Sequence, residues 1–419
     1  MYFSPYVAFA DTGGSVDPLG FLRPGNALAD LLFRQFTVLS NYPDYHGFLC
    51  FAFDYLAATR TPPGKTGFSA RVRDIEIFWG LLSLKSTGES LLNVTKLKAL
   101  SEKDYCFSRN NNYGGLYIRL NYGALGHYTG PSVRWNLINR QITQLTDMGY
   151  RLGEAWSRRG SFAFKELADA WLKGDDLFDE ATVKKKLAPY SLHSQPARAE
   201  KEVWNDVIAL ACQKDKLSAP LWEYPLRDEI LYLATSESEY HLFFPALVEY
   251  YSKYGQLSQR ISLCWHFEEI AALSQYIFDW EYVRRDLANH LTEQPGSRRT
   301  AIVEAMQYSL RLFLDTLAKS GLALQWELPG RLAACSSYAE LADAILAHHT
   351  SHQNRKGTSP FMDEKHILVE GRVDAAKTLR LHEQLEDDSK RISQVLTWNF
   401  KRNWYFSNAR RWLEYAGRI

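Results

Sequence analysis

Beyond residue 161 one pattern governs the sequence: apolar side chains return every three or four positions, segment after segment. In "TAIVEAMQYSLRLFLDTLAKSG", Ile302, Met306, Leu310, Phe313 and Leu317 share one face, and Gly321 follows as a stop. The same spacing predicts helices over 161–173, 199–213, 240–254, 264–292, 298–320 and 338–349, with a long terminal stretch from 373 to 416. Helices patterned in this way have to bury their apolar stripes on one another. One interruption, "GLALQWELPG", reads as a short strand ahead of Pro329.

The first third is more mixed. "NALADLLFRQF" predicts a helix with Asn26 as N-cap, and "YHGFLCFAFDYLAA" a buried helix ended by the prolines and glycines of "TRTPPGKTG". "FSARVRDIEIFWGLLSLK" follows with Val72, Ile75, Ile77, Phe78, Trp79 and Leu82 on a broad apolar face. In "SRNNNYGGLYIRLNYGALGHYTG" the alternation of Leu116, Ile118 and Leu120 predicts a strand between turns. Pro131 then suits a helix start over 131–141. The β-prone "ITQL" comes next, and Thr146 is placed to cap a helix carrying Met148, Leu152 and Trp156, with Asp147 at its positive end.

Helix, strand and capped helix in that order match the recognition helix, wing and final helix of a winged-helix module. The competing reading is an ordinary strand–helix junction in an unrelated α+β domain. The fold expected is therefore mainly α. It comprises an N-terminal winged-helix-like α/β unit over 1–160 and an all-helical domain over 161–419 with a long C-terminal helix. The charged, proline-bearing segment 174–198 reads as an exposed connection near the boundary.

Charge and cysteine usage narrow the function classes. With 49 basic and 48 acidic residues the net charge is +1, which argues against a nucleic-acid coat or a polybasic membrane anchor. Cys50, Cys106, Cys212, Cys264 and Cys335 are scattered and odd in number, as expected of reduced, packed thiols. The N-terminus shows no secretory pattern, and "HGFLCFAFDYLAA" is too short to span a bilayer. A cytoplasmic protein without membrane partners is expected.

No familiar reaction signature is present. "TPPGKTG" resembles a phosphate loop, but Thr59 stands where that loop requires glycine, and a helix precedes it. "AHHTSHQNRK" puts His348 and His352 four apart, a spacing open to a metal although no HExxH or nearby cysteine supports one; no metal and no cofactor are expected. The adjacent "NRKG" adds positive charge suited to a phosphate or an acidic partner. In "CWHFEEI", His266 stands beside Glu268 and Glu269, which could serve acid–base chemistry only in a pocket. The C-terminal "WNFKRNWYFSNARRWLEYAGR" interleaves Trp398, Trp404 and Trp412 with Arg402, Arg410 and Arg411. Such a mixture suits either a docking surface or a helix packed on its own domain. On the helix expected at 131–141, Arg134 and Arg140 are the candidate contacts to DNA phosphates.

Several short stretches resemble a group of bacterial proteins from phage-defence neighbourhoods. They are "DPLG" at 17–20, "FTVLS" at 36–40 running into "DYHGFLCFAF", "LTDMGYRL" at 145–152, and "NRKGTSPFM" at 354–362, where Phe361 replaces the usual tryptophan. Some members of that group look like accessory, or middle, components of three-component antiphage systems that work beside an ABC/SMC-type ATPase and an effector. The resemblance implies a non-catalytic subunit that bridges those two protein partners, and the winged-helix reading adds contact with double-stranded DNA. It transfers no catalytic residue. The alternatives are a hydrolase or nuclease using residues such as His266, Glu268 and Glu269 or the 348–352 histidines, and a stand-alone DNA-binding regulator.

Overall fold

Helix Gly255–Asp286 runs for 32 residues, and every side chain from Ile270 to Val283 is buried. A helix enclosed on all sides must be surrounded by others. Helices Leu22–Phe33, Phe243–Tyr250, Gly296–Ser320, Tyr338–Arg355, Ala375–Gln384 and Ser389–Phe400 pack on it. Its buried acids are partnered: Gln275 donates to Asp279 Oδ1 at 2.7 Å, and Arg284 donates to Glu281 Oε2 at 2.7 Å. The structure is a computed structural model. It describes residues 17–37, 42–59, 61, 67–87, 123–140, 144–160, 163–173, 188–192, 194–286, 296–362, 366–385, 389–402 and 404–419. Among these the architecture is mainly α-helical, with 17 α-helices and one two-stranded hairpin.

The chain divides into two units. Met1–Phe33 and Leu226–Phe406 form the first, built around helix Gly255–Asp286. Arg34–Pro225 and Ser407–Ile419 form the second. The division expected at 160/161 falls inside the second unit.

In the second unit, helix Asp44–Ala58 packs on helix Asp147–Ser157 at very short range. A Cβ on Gly153 would lie 2.8 Å from the Cys50 carbonyl carbon and the Phe51 nitrogen. Thr146 caps the latter helix as expected, accepting from Gly149 N at 3.2 Å, while its hydroxyl donates to the Asn136 carbonyl at 2.7 Å. The hairpin just before it is short, with Ile138 opposite Leu145 and Asn139 opposite Gln144.

The helix expected at 131–141 is instead Ala124–Arg134, with Pro131 in its second half. A buried carboxylate explains the shift: Glu76 accepts the Ala124 amide at 2.8 Å and starts the helix inside "GALGHYTG", which reads as turn. Trp135 and Asn136, the latter at φ 60°, then turn the chain into the hairpin. The strand expected from Leu116, Ile118 and Leu120 lies outside the described residues.

Two further expectations need correction. "GLALQWELPG" forms no strand; Leu322–Glu327 runs without strand pairing into helix Leu328–Ala333. The terminal stretch is three helices, Ala375–Gln384, Ser389–Phe400 and Phe406–Tyr415, rather than one. At the second break the Arg402 amide donates to buried Glu268 Oε1 at 3.3 Å instead of to a helical carbonyl, and Tyr405 adopts φ 66°.

Candidate functional site

The "DPLG" turn starts the first described helix. Both Asp17 carboxylate oxygens accept backbone amides, Phe21 N at 2.8 Å and Leu22 N at 2.9 Å, so helix Leu22–Phe33 begins there. Asn26, the expected cap, lies within that helix and accepts a hydrogen bond from Arg402.

Helix Tyr338–Arg355 grips the same turn. Ser337 caps it by accepting the Glu340 amide at 3.3 Å, and the Glu340 carboxylate accepts Ser336 N at 2.6 Å. From its far half His348 donates through Nε2 to the Leu19 carbonyl at 3.0 Å. Gln353 donates to the Pro18 carbonyl at 3.1 Å, and Lys356 to the Asp17 carbonyl at 3.4 Å. His349 bridges two stretches: Nδ1 lies 2.8 Å from the Pro18 carbonyl, and Nε2 accepts the Phe361 amide at 2.8 Å. An amide can only donate, so Nε2 is unprotonated and the ring is the neutral Nδ1–H tautomer. Burial lowers the basicity of His348, His349 and His352, that of His349 to about 4.

Beside the turn opens a cleft of about 860 Å³. Arg23 and Asn26 line it from the first helix, Gln325 and Trp326 from the segment before Leu328, and His352, Arg355 and Lys356 from the end of the histidine helix. Its acids are engaged elsewhere: Asp17 holds the two amides, and Glu327 meets Arg331 at 3.3 Å. Arg23 donates to Gln325 Oε1 at 3.0 Å. Trp326 is held edge-on by Phe21 and Phe313 and lies tilted against Phe267, 4.9 Å between centroids. Three cations, Arg23, Arg355 and Lys356, thus stand with two engaged carboxylates around an aromatic wall.

Among the described residues no group of three or more His, Cys, Asp or Glu converges as a metal site. The His348 and His352 rings stand 6.2 Å apart and nearly parallel, with His348 Nε2 committed to Leu19.

Of the acid–base candidates the structure joins His266 with Glu269 and turns Glu268 away from both. Glu268 turns inward and accepts from Tyr240 at 2.5 Å, Trp404 Nε1 at 2.6 Å and the Arg402 amide. Burial outweighs these donors and pushes its carboxyl up to about 7. Glu269 accepts from Trp265 at 3.1 Å and Ser309 at 3.0 Å, with His266 at 3.3 Å. The two acids serve separate clusters.

The C-terminal residues expected as one docking surface are divided between the units. Arg402 and Trp404 are buried in the first, and Trp398 is half-buried under Lys401. Trp412 is buried in the second unit, Arg411 is exposed, and Arg410 is paired with Glu414 at 2.9 Å. Trp404 and Trp412 therefore present no surface; their indoles fill cores. Arg134 and Arg140 are both exposed, Arg140 at the hairpin and Arg134 with Nη1 donating to the Arg34 and Phe36 carbonyls. Much of the 174–198 connection lies outside the described residues.

Sequence reasoning found the histidine run and "NRKG" but missed Arg23 and Trp326. Both sit in segments read only for secondary structure, and nothing local ties either to His352, Arg355 and Lys356, more than 20 positions away. Compared with known proteins, the chain matches no family model, no curated protein and no solved structure.

Proposed function

We propose that the chain is a non-catalytic accessory subunit of a bacterial antiphage assembly, bridging an SMC/ABC-type ATPase and an effector. The observation that carries the reading is the His349 bridge. It joins "DPLG" to "NRKGTSPFM", two stretches on which the resemblance rests, between residues 331 positions apart in the case of Pro18. Shared stretches that meet in space belong to one built feature rather than to scattered coincidence. A binding role is supported by the cleft itself, where cations and an indole face the opening, Asp17 is committed to backbone amides and Glu327 is paired with Arg331.

Within the second unit we read helix Ala124–Arg134, the hairpin and helix Asp147–Ser157 as a winged-helix-like element. On that reading exposed Arg140 in the hairpin and Arg134 contact DNA phosphates.

Reading the gene neighbourhood for an SMC/ABC-type ATPase and an effector, and co-expressing the chain with them, tests the first reading. One species containing all three on size-exclusion chromatography is expected. The chain eluting alone, while the other two bind each other directly, overturns it. For the second, affinity for duplex DNA should fall steeply with salt, and Arg134→Glu with Arg140→Glu should weaken all sequences alike. Absence of duplex binding at low salt, with and without the partners, removes the DNA role.

A further inference from the structure

We propose that the cleft beside the "DPLG" turn binds a phosphorylated small molecule of nucleotide size. The inference stands apart from the accessory-subunit reading, because it concerns a ligand site within one unit and requires no partner protein.

Size is the first argument. The volume of about 860 Å³ lies within the ~300–1,000 Å³ typical of small-molecule sites and far exceeds what a lone phosphate fills. Charge is the second. Arg23, Arg355 and Lys356 come from two helices distant in sequence and line one opening. Guanidinium forks match the oxygens of a phosphate.

Arg355 and Lys356 could be explained by their place at a helix C-terminus, where cations complement the dipole. Arg23 has no such explanation. It stands in the first turn of helix Leu22–Phe33, where a positive charge opposes the dipole; the turn itself holds no acid, and the Asp17 carboxylate at the helix start is taken up by the Phe21 and Leu22 amides. A position that is locally unfavourable but points with two other cations into a cleft fits an anionic occupant.

The remaining walls suit the body of such a ligand. Trp326 is half-buried and fixed by three phenylalanines, so the part facing the cleft is a rigid platform for a planar base. Asn26 and Gln325 place amide groups beside it. The floor is equally fixed: Gly20 at φ +71° lets the His352 ring come within 2.7 Å of where a Cβ would stand, and His352 Nε2 is buried without a partner. Four side chains of a single helix and its C-cap hold the turn below.

Isothermal titration calorimetry on the full chain tests the proposal with AMP, ADP, pyrophosphate and a short DNA duplex as separate probes. Binding of AMP or ADP is expected, tighter than pyrophosphate because the indole adds to the phosphate contacts. Arg355→Ala with Lys356→Ala should weaken it by on the order of tenfold to a hundredfold, with the melting temperature as a check on folding. If that pair fails to fold, Arg355→Glu alone at an exposed position should produce the loss. Four outcomes overturn the proposal: no heat with either nucleotide, nucleotide affinity unchanged in these variants, pyrophosphate binding without nucleotide binding, or duplex binding alone.

Discussion

Trp412 stacks on Trp135, with ring centroids 4.6 Å apart and planes 8° from parallel. Trp204 meets Trp412 edge-on at 4.6 Å, and Phe36 and His46 approach it at 5.2 Å. All five side chains belong to the second unit, so residues 407–419 complete a core begun by segments far upstream. Trp412→Ala should therefore cost about 3–5 kcal/mol of stability, the usual consequence of emptying a large buried aromatic site. Arg411→Ala, at an exposed position one residue away, should stay within about 0.5 kcal/mol. Urea unfolding distinguishes them. Equal midpoints for Trp412→Ala and the parent protein would sink the assignment.

His349 links stability to acid. Its folded-state basicity falls to about 4 from 6.5, chiefly through burial, because the ring must stay neutral to accept the Phe361 amide. The unfolded ring protonates first on acidification. The contribution of this group is thus fully present above pH 6.5 and lost as pH falls toward 4, to a total of about 3 kcal/mol. His46, lowered to about 3, acts in the same direction, so only the difference between variants isolates one site. His349→Gln should flatten the decline between pH 6.5 and 4.5 by close to one proton. An unaltered slope would mean that His349 is not held neutral.

Glu76 carries the opposite sign. Burial pushes its carboxyl up to about 7 from 4.5, against the lowering effect of the Ala124 amide and Arg73. Stability from this group is present below about pH 4.5 and lost as pH rises through 7. Glu76→Gln retains an acceptor for the Ala124 amide and cannot ionise. Its stability relative to the parent should improve between pH 5 and pH 8, by up to about 3 kcal/mol. A difference that stays constant across this range would place the ionisation of Glu76 outside it.

Helix content was legible because its cause is local. The periodic run of Ile302, Met306, Leu310 and Phe313 needs only its own spacing to declare a buried face, and Thr146 needs only the amide of Gly149. What misled were decisions taken at long range. The start of helix Ala124–Arg134 depends on Glu76, and the break at Arg402 depends on Glu268. The aromatic and arginine-rich terminus looked like a surface because composition carries no depth; Trp404 and Trp412 are buried by partners more than 100 positions away. Likewise the histidine run showed its charge and spacing, but not that Arg23 and Trp326 complete the cleft beside it.

Gly153 provides a test in which propensity and packing have opposite signs. It lies inside helix Asp147–Ser157, where replacing glycine by alanine ordinarily stabilises by about 1 kcal/mol. Here an added Cβ would stand 2.8 Å from the Cys50 carbonyl carbon and the Phe51 nitrogen, which are backbone atoms of helix Asp44–Ala58 and cannot rotate aside. The helices would have to separate. Rigid neighbours stand close by, with Phe51 and Trp156 tilted together at 5.8 Å and Trp156 meeting Trp79 edge-on at 5.7 Å. Overpacking of this kind costs about 1–3 kcal/mol after relaxation, more than the propensity gain. Gly153→Ala should lower the urea midpoint, whereas Gly130→Ala, with open space around its Cβ position in helix Ala124–Arg134, should leave it unchanged or raise it. If Gly153→Ala stabilised the protein, the close approach of these two helices would be wrong.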